Sequence, residues 1–160
     1  MTELVLTLVA GMVATAVMPL GLYALPPFGL LSPADQARAF GSFMTRREDN
    51  ALVPGMAFGI AVGIFWAFVY GALFSLFAHK TLSVYVLLGF IFGAFFGENL
   101  SMAAALIFSD NHPIPRIQEN AWRVALGTVL IHIVHGVVVG LMLGVYAVDY
   151  SFVPKLILLP

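Results

Sequence analysis

The sequence predicts an all-α integral membrane protein: a four-helix bundle with glycine-rich close helix packing and a short interfacial helix in its first connection. Three observations carry that expectation. The 160 residues are 61% hydrophobic and only 9% charged, with a mean hydropathy of +1.01, where soluble domains carry roughly 25% charged residues. Four apolar stretches, near 3–25, 54–78, 82–108 and 121–147, reach the ~20 residues that cross ~30 Å of hydrocarbon. Small residues recur at every fourth position in three of those stretches. Residues 1–160 therefore read as a single transmembrane domain.

The first span opens MTE, with Glu3 where a secretory leader carries Lys or Arg. Its apolar stretch is also longer than a leader's, which predicts a retained helix. The connection to the second span holds Ser32, Pro33 and Asp35 as N-cap, first helical residue and N3 acid. Ala37, Phe40, Phe43 and Met44 then recur at helical spacing while Arg38, Arg46 and Arg47 fall elsewhere. That pattern predicts a helix over about 33–47 lying in the membrane interface, or alternatively a capped loop helix packed on protein. Between spans three and four, SDNHPIPRIQEN (109–120) gathers Asp110, His112, Arg116 and Glu119, and its Pro113 and Pro115 predict a rigid extended turn that contacts a partner.

Orientation follows from Lys and Arg. Connections 26–53 and 109–123 hold Arg38, Arg46, Arg47, Arg116 and Arg123, against Lys80 and Lys155 on the other side. The first and third connections are thus expected in the cytoplasm, with both termini outside. Among the aromatics, Tyr23, Tyr70, Tyr85, Trp122, Tyr146 and Tyr150 include several expected as interfacial anchors, and mid-span Trp66 reads as packing.

The small-residue stripes run Gly55, Gly59, Gly63, Ala67, Gly71 in span two; Gly89, Gly93, Gly97, Ser101, Ala105 in span three; and Gly136, Gly140, Gly144 in span four. Span one adds Gly11 with Thr15 and Ala10 with Ala14. Each glycine costs roughly 0.8–1 kcal/mol of helix propensity in water, so such stripes make sense where backbones approach closely. Spacing leaves open whether a stripe meets a helix of the same chain, of a second copy or of another subunit.

Ionisable groups concentrate near the middle of spans three and four: Glu98 with Asn99, and His132 with His135. A lipid-exposed carboxylate there is costly, which predicts a hydrogen bond from Glu98 to one of the histidines, supplemented by Asn99, Ser101 and Thr128. Three chemistries are open to such a cluster. It is a polar clamp between helices, or a haem- or chlorophyll-type cofactor site through His132 or His135, or a proton or ion path through Glu98. Two His and one Glu also match the ligand set of a non-haem metal site.

The segments GMVATAVMPLGLYAL and LIHIVHGVVVGLMLGVYAV resemble the first and fourth helices of small four-span bacterial inner-membrane proteins of unassigned function. Gly11, Ala14, Thr15 and Met18 match the opening motif, and His132, Gly136, Gly140, Gly144 and Tyr146 the closing one. The resemblance implies the four-span fold and a bacterial inner or intracytoplasmic membrane, and it brings no activity with it.

Several classes are set aside. A net charge of −1 offers no basic stripe for nucleic acid. With no cysteine, disulfides, thiolate metal sites and cysteine nucleophiles are excluded. The sequence holds no P-loop, GxGxxG, GxSxG or HExxH motif, and no enzyme is expected. The expected role is a small subunit that packs against other integral membrane subunits of a larger bioenergetic or photosynthetic complex; the cofactor and transport readings stand beside it.

Overall fold

A computed structural model describes residues 3–23, 31–77 and 81–146. Every regular element among them is helical: α1 (Glu3–Tyr23), α2 (Pro33–Thr45), α3 (Leu52–Phe74), α4 (Leu82–Asn111), α5 (Pro115–Glu119) and α6 (Ala121–Val145). Four of these, α1, α3, α4 and α6, are long and apolar enough to cross a membrane, which marks a multi-pass membrane protein. Residues 24–25, 78 and 147 of the expected spans lie outside the described residues, as do Lys80, Tyr150 and Lys155.

Local chemistry sets the helix ends. α3 begins two residues before the expected Pro54 because a proline in the first turn loses no intrahelical bond. α4 continues past the expected 108 to Asn111. His112 then turns extended (φ −70°, ψ 134°), as the residue before Pro113 is driven to do. The expected extended turn over 109–120 is corrected at both ends: α4 takes its first three residues, and Pro115 starts the single helical turn of α5.

α2 has the expected N-cap, with the Ser32 hydroxyl accepting from the Asp35 N–H at 3.2 Å. Its C-terminal Arg46 takes a left-handed conformation (φ 54°) and donates its N–H to Ser42 O at 2.8 Å. Gln36, Ala39, Gly41 and Ser42 are buried. A methyl added at Gly41 would meet Gly55 N at 2.7 Å, and one at Gly55 would strike the Ala37 carbonyl. The helix is therefore wedged against α3, with Phe43 and Met44 turned outward.

The helices pack unevenly. α6 is the hub: its most extensive contact is with α4 and the next with α1, while α1 and α2 pack on α3. α3 meets α4 chiefly through rings, with Trp66–Phe96 at 4.6 Å, Phe74–Tyr85 at 5.5 Å and Phe74–Phe92 at 6.1 Å between centroids. One buried cluster joins Ala10, Ala14, Ala67, Tyr70, Phe74, Tyr85, Leu88, Val139 and Leu143. A second, of Ala39, Phe108, Ile117, Ala121 and Val124, closes the end where α2 and α5 sit. Tyr70 and Tyr85, two of the possible interfacial anchors, are core residues; of the others, Tyr23, Trp122 and Tyr146 are exposed near helix ends.

Candidate functional site

The α4–α6 seam decides where the polar residues point. A methyl at Gly89 would strike the Gly136 carbonyl and one at Gly136 the Gly89 carbonyl, and Gly140 faces the Tyr85 carbonyl in the same way. Below these, a methyl at Gly93 would lie 2.5 Å from His132 O, and one at Gly97 2.9 Å from His132 Cβ. Gly144 abuts Leu82 and Tyr85. On α3, Gly55 and Gly63 meet α2 and α1 respectively, whereas Gly59 has nothing within 4 Å of where its Cβ would be.

Each residue advances a helix by about 100°, so the residue after a seam glycine turns away from the partner helix. Gly97 faces α6 and Glu98 faces out; both Glu98 and Asn99 are exposed. Gly97 lies against His132, near the middle of α6, which puts Glu98 at the same level. Among the described residues, no hydrogen bond or ion pair joins Glu98 to either histidine, and no group of three His, Cys, Asp or Glu converges as metal ligands. The expected pairing of Glu98 with His132 or His135 is thus replaced by separation: carboxyl outside the bundle, imidazoles inside. The supplements are used locally. Asn99 Nδ2 donates to Phe95 O (2.7 Å), Ser101 Oγ to Glu98 O (2.7 Å) and Thr128 Oγ1 to Val124 O (2.8 Å).

The two histidines both turn toward α3. His132 Nδ1 lies 2.8 Å from Thr128 O, a contact that places the ring proton on Nδ1 and leaves Nε2 as the acceptor. Its ring stands edge-on to Trp66 with centroids 6.3 Å apart. Three residues later, His135 meets α3 as well and sits deeper: it is 2% exposed, its ring centroid is 5.9 Å from that of Tyr70, and its Nε2 abuts Gly63 where Thr15 of α1 also approaches. A macrocyclic cofactor needs a pocket of several hundred Å³, and His135, enclosed by Gly63 and Tyr70, does not fit one. A shallow groove of about 760 Å³ over α4 and α6 near Leu82, Val86, Phe90 and Val137 is apolar and contains no histidine.

A further polar group, whose Gln36 and Ser42 were not singled out in the sequence, locks the α2 end of the bundle. Gln36 Nε2 donates to Val124 O (2.9 Å) and Thr128 Oγ1 (3.0 Å). Ile114 N–H donates to His112 Nδ1 (3.1 Å), so Nε2 carries the proton and donates to Ala39 O (2.9 Å), with Ser42 Oγ 3.3 Å away. Arg116 pairs with Glu48 and, at 3.8 Å, with Asp35, tying α5 to both ends of the α2 segment. Such exposed pairs contribute at most about 1 kcal/mol each. The signal for Gln36 was its place one residue after the N3 acid, on the Ala39 face of α2.

The chain matches no family model, no curated protein and no solved structure.

Proposed function

We propose that this chain is a small integral membrane subunit that packs against the helices of a larger bioenergetic or photosynthetic complex and stabilises it. The observation that carries the reading is the outward face of α4. Leu87, Ile91, Phe95, Glu98, Met102 and Leu106 are all exposed, and their spacing of three and four forms one stripe along the helix. A charged group held against acyl chains at mid-depth costs about 2.5–3.5 kcal/mol on insertion scales. A partner helix that offers a hydrogen-bond donor at that level removes the cost, and the flanking Leu, Ile, Phe and Met side chains supply packing area.

The remaining features support the same role. The glycine seams act as close-packing surfaces within the bundle, and Gly59, with open space before it, is a place where another helix could approach. The chain would sit in a bacterial inner membrane with the α2 and α5 end in the cytoplasm, Phe43 and Met44 of α2 dipping into the interface. Docking is favoured over transport because Glu98 points away from the imidazoles, so the ionisable groups form no line through the bundle.

Isolation of the tagged chain from its native membrane in mild detergent tests this. The expected result is a particle well above 17.2 kDa that contains other integral subunits and releases this chain when Glu98→Leu and Asn99→Leu are combined. A monomer that behaves identically with and without those substitutions would sink the reading.

A further inference from the structure

Among the described residues, five buried side-chain polar atoms have no hydrogen-bond partner, and three of them belong to two touching rings: His135 Nδ1, His135 Nε2 and Tyr70 Oη. Both residues are essentially inaccessible, at 2% and 0% exposure. The other two atoms, Gln36 Oε1 and Arg123 Nε, lie at the α2 end of the bundle. The concentration at His135 and Tyr70 is therefore a feature of the membrane-embedded core, where an unsatisfied polar atom costs most.

The chemistry of the unmet groups defines what would satisfy them. A neutral imidazole has one N–H to donate and one lone pair to fill, and a phenol has an O–H to donate. The Gly63 carbonyl lies close enough to take the ring N–H, but Tyr70 Oη and His135 do not hydrogen-bond each other, so a species that accepts from the phenol and donates to the ring's lone pair would meet both. A third group faces the same place. Thr15 Oγ1 spends its proton on Gly11 O at 2.7 Å, so what it has left is acceptor capacity. Thr15 Oγ1 and His135 Nε2 both abut the point where Gly63 lacks a side chain, the Nε2 at 3.4 Å and the hydroxyl closer still. The two atoms are thus no farther apart than two hydrogen bonds laid end to end. A methyl at position 63 would strike the Thr15 hydroxyl and touch the His135 ring.

We infer that His135, with Tyr70 beside its ring and Thr15 next to it at Gly63, forms an internal water-binding site in the hydrocarbon-embedded core that ties α1, α3 and α6 together. A water molecule there donates to Thr15 Oγ1 and to the unprotonated ring nitrogen, and accepts from the Tyr70 hydroxyl or from the ring N–H. That gives it the two to four polar partners that ordered buried waters have. The site is independent of the Glu98 face, which lies outside the bundle, and its success or failure leaves the docking reading untouched.

The test uses the full chain, ¹⁵N-labelled, in detergent micelles, with the His135 side-chain resonances assigned through a His135→Gln variant. The expected result is ring nitrogens at hydrogen-bonded chemical shifts, with magnetisation transfer from a long-lived water to the His135 ring. That transfer weakens in both Thr15→Val and Tyr70→Phe, which are nearly isosteric. Their unfolding midpoints should fall, because each removes a partner of a bound water. Absence of transfer in the unsubstituted chain overturns the proposal, as does transfer unaffected by both substitutions. A dry site would also reveal itself by a raised midpoint in Tyr70→Phe, since an orphaned hydroxyl would have been removed.

Discussion

α4 faces two neighbours in two different ways. Toward α6 it presents Gly89, Gly93 and Gly97, and at the first two the backbones come so close that a single methyl would strike a carbonyl. Toward α3 it presents Tyr85, Phe92 and Phe96, which meet Trp66 and Phe74 ring to ring. In lipid neither contact draws on water exclusion, so both depend on dispersion and shape. The glycine seam achieves this by removing side chains, the aromatic side by filling a wider gap. The first has no slack, and the second has many atoms to lose.

The comparison breaks most visibly on the aromatic side. Phe74→Ala removes a ring that is 1% exposed and contacts Tyr70, Tyr85 and Phe92; the expected loss is about 3–5 kcal/mol, read by reversible unfolding in mixed micelles. On the seam the opposite change is harmful. Gly136→Ala adds one methyl against the Gly89 carbonyl and is expected to cost about 1–3 kcal/mol, despite alanine being the better helix former. At the α2 end, Gln36→Leu deletes the bonds to Val124 O and Thr128 Oγ1, for an expected loss of about 1–2 kcal/mol. The smallest effect sharpens the comparison most. Gly59→Ala is the same chemical change as Gly136→Ala but enters open space, so in the isolated chain it should be neutral or stabilising by up to about 1 kcal/mol. If the two alanine variants behave alike, the seam owes its tightness to propensity and not to contact.

Part of the candidate site was legible in the residues themselves. Glu98 follows Gly97, and a residue next to a seam position must leave the seam by the helix's own pitch. Its outward placement is therefore implied once Gly97 is assigned to α6. Which helix Gly97 faces is a different kind of information, because Gly55, Gly63 and Gly89 repeat at the same spacing and turn to three different neighbours. The same limit applies to the histidines. A spacing of three suggests a shared face, and both rings do meet α3, His132 at Trp66 and His135 one turn on at Tyr70, but the spacing does not say that α3 is the helix they meet. Tyr70 looked like an anchor from its place toward a helix end, and became core because Phe74, Tyr85 and Phe96 close over that end.

By itself the sequence determined the helices: their number and approximate limits across the four long apolar stretches, the Ser32 cap, and the break that Pro113 forces on His112. These follow from local terms, namely apolar length, backbone sterics and the reach of a side chain to its own backbone. Only the tertiary structure decided the partners: that α6 is the hub, that Gly59 faces open space while Gly55 and Gly63 of the same stripe meet α2 and α1, that Gln36 and His112 seal one end, and that the mid-depth polar residues divide into an outward pair and an inward pair. The physical reason is that helix–helix contact in lipid is a choice among faces of nearly equal composition. Shape complementarity summed over the whole bundle makes that choice, and no single helix carries it.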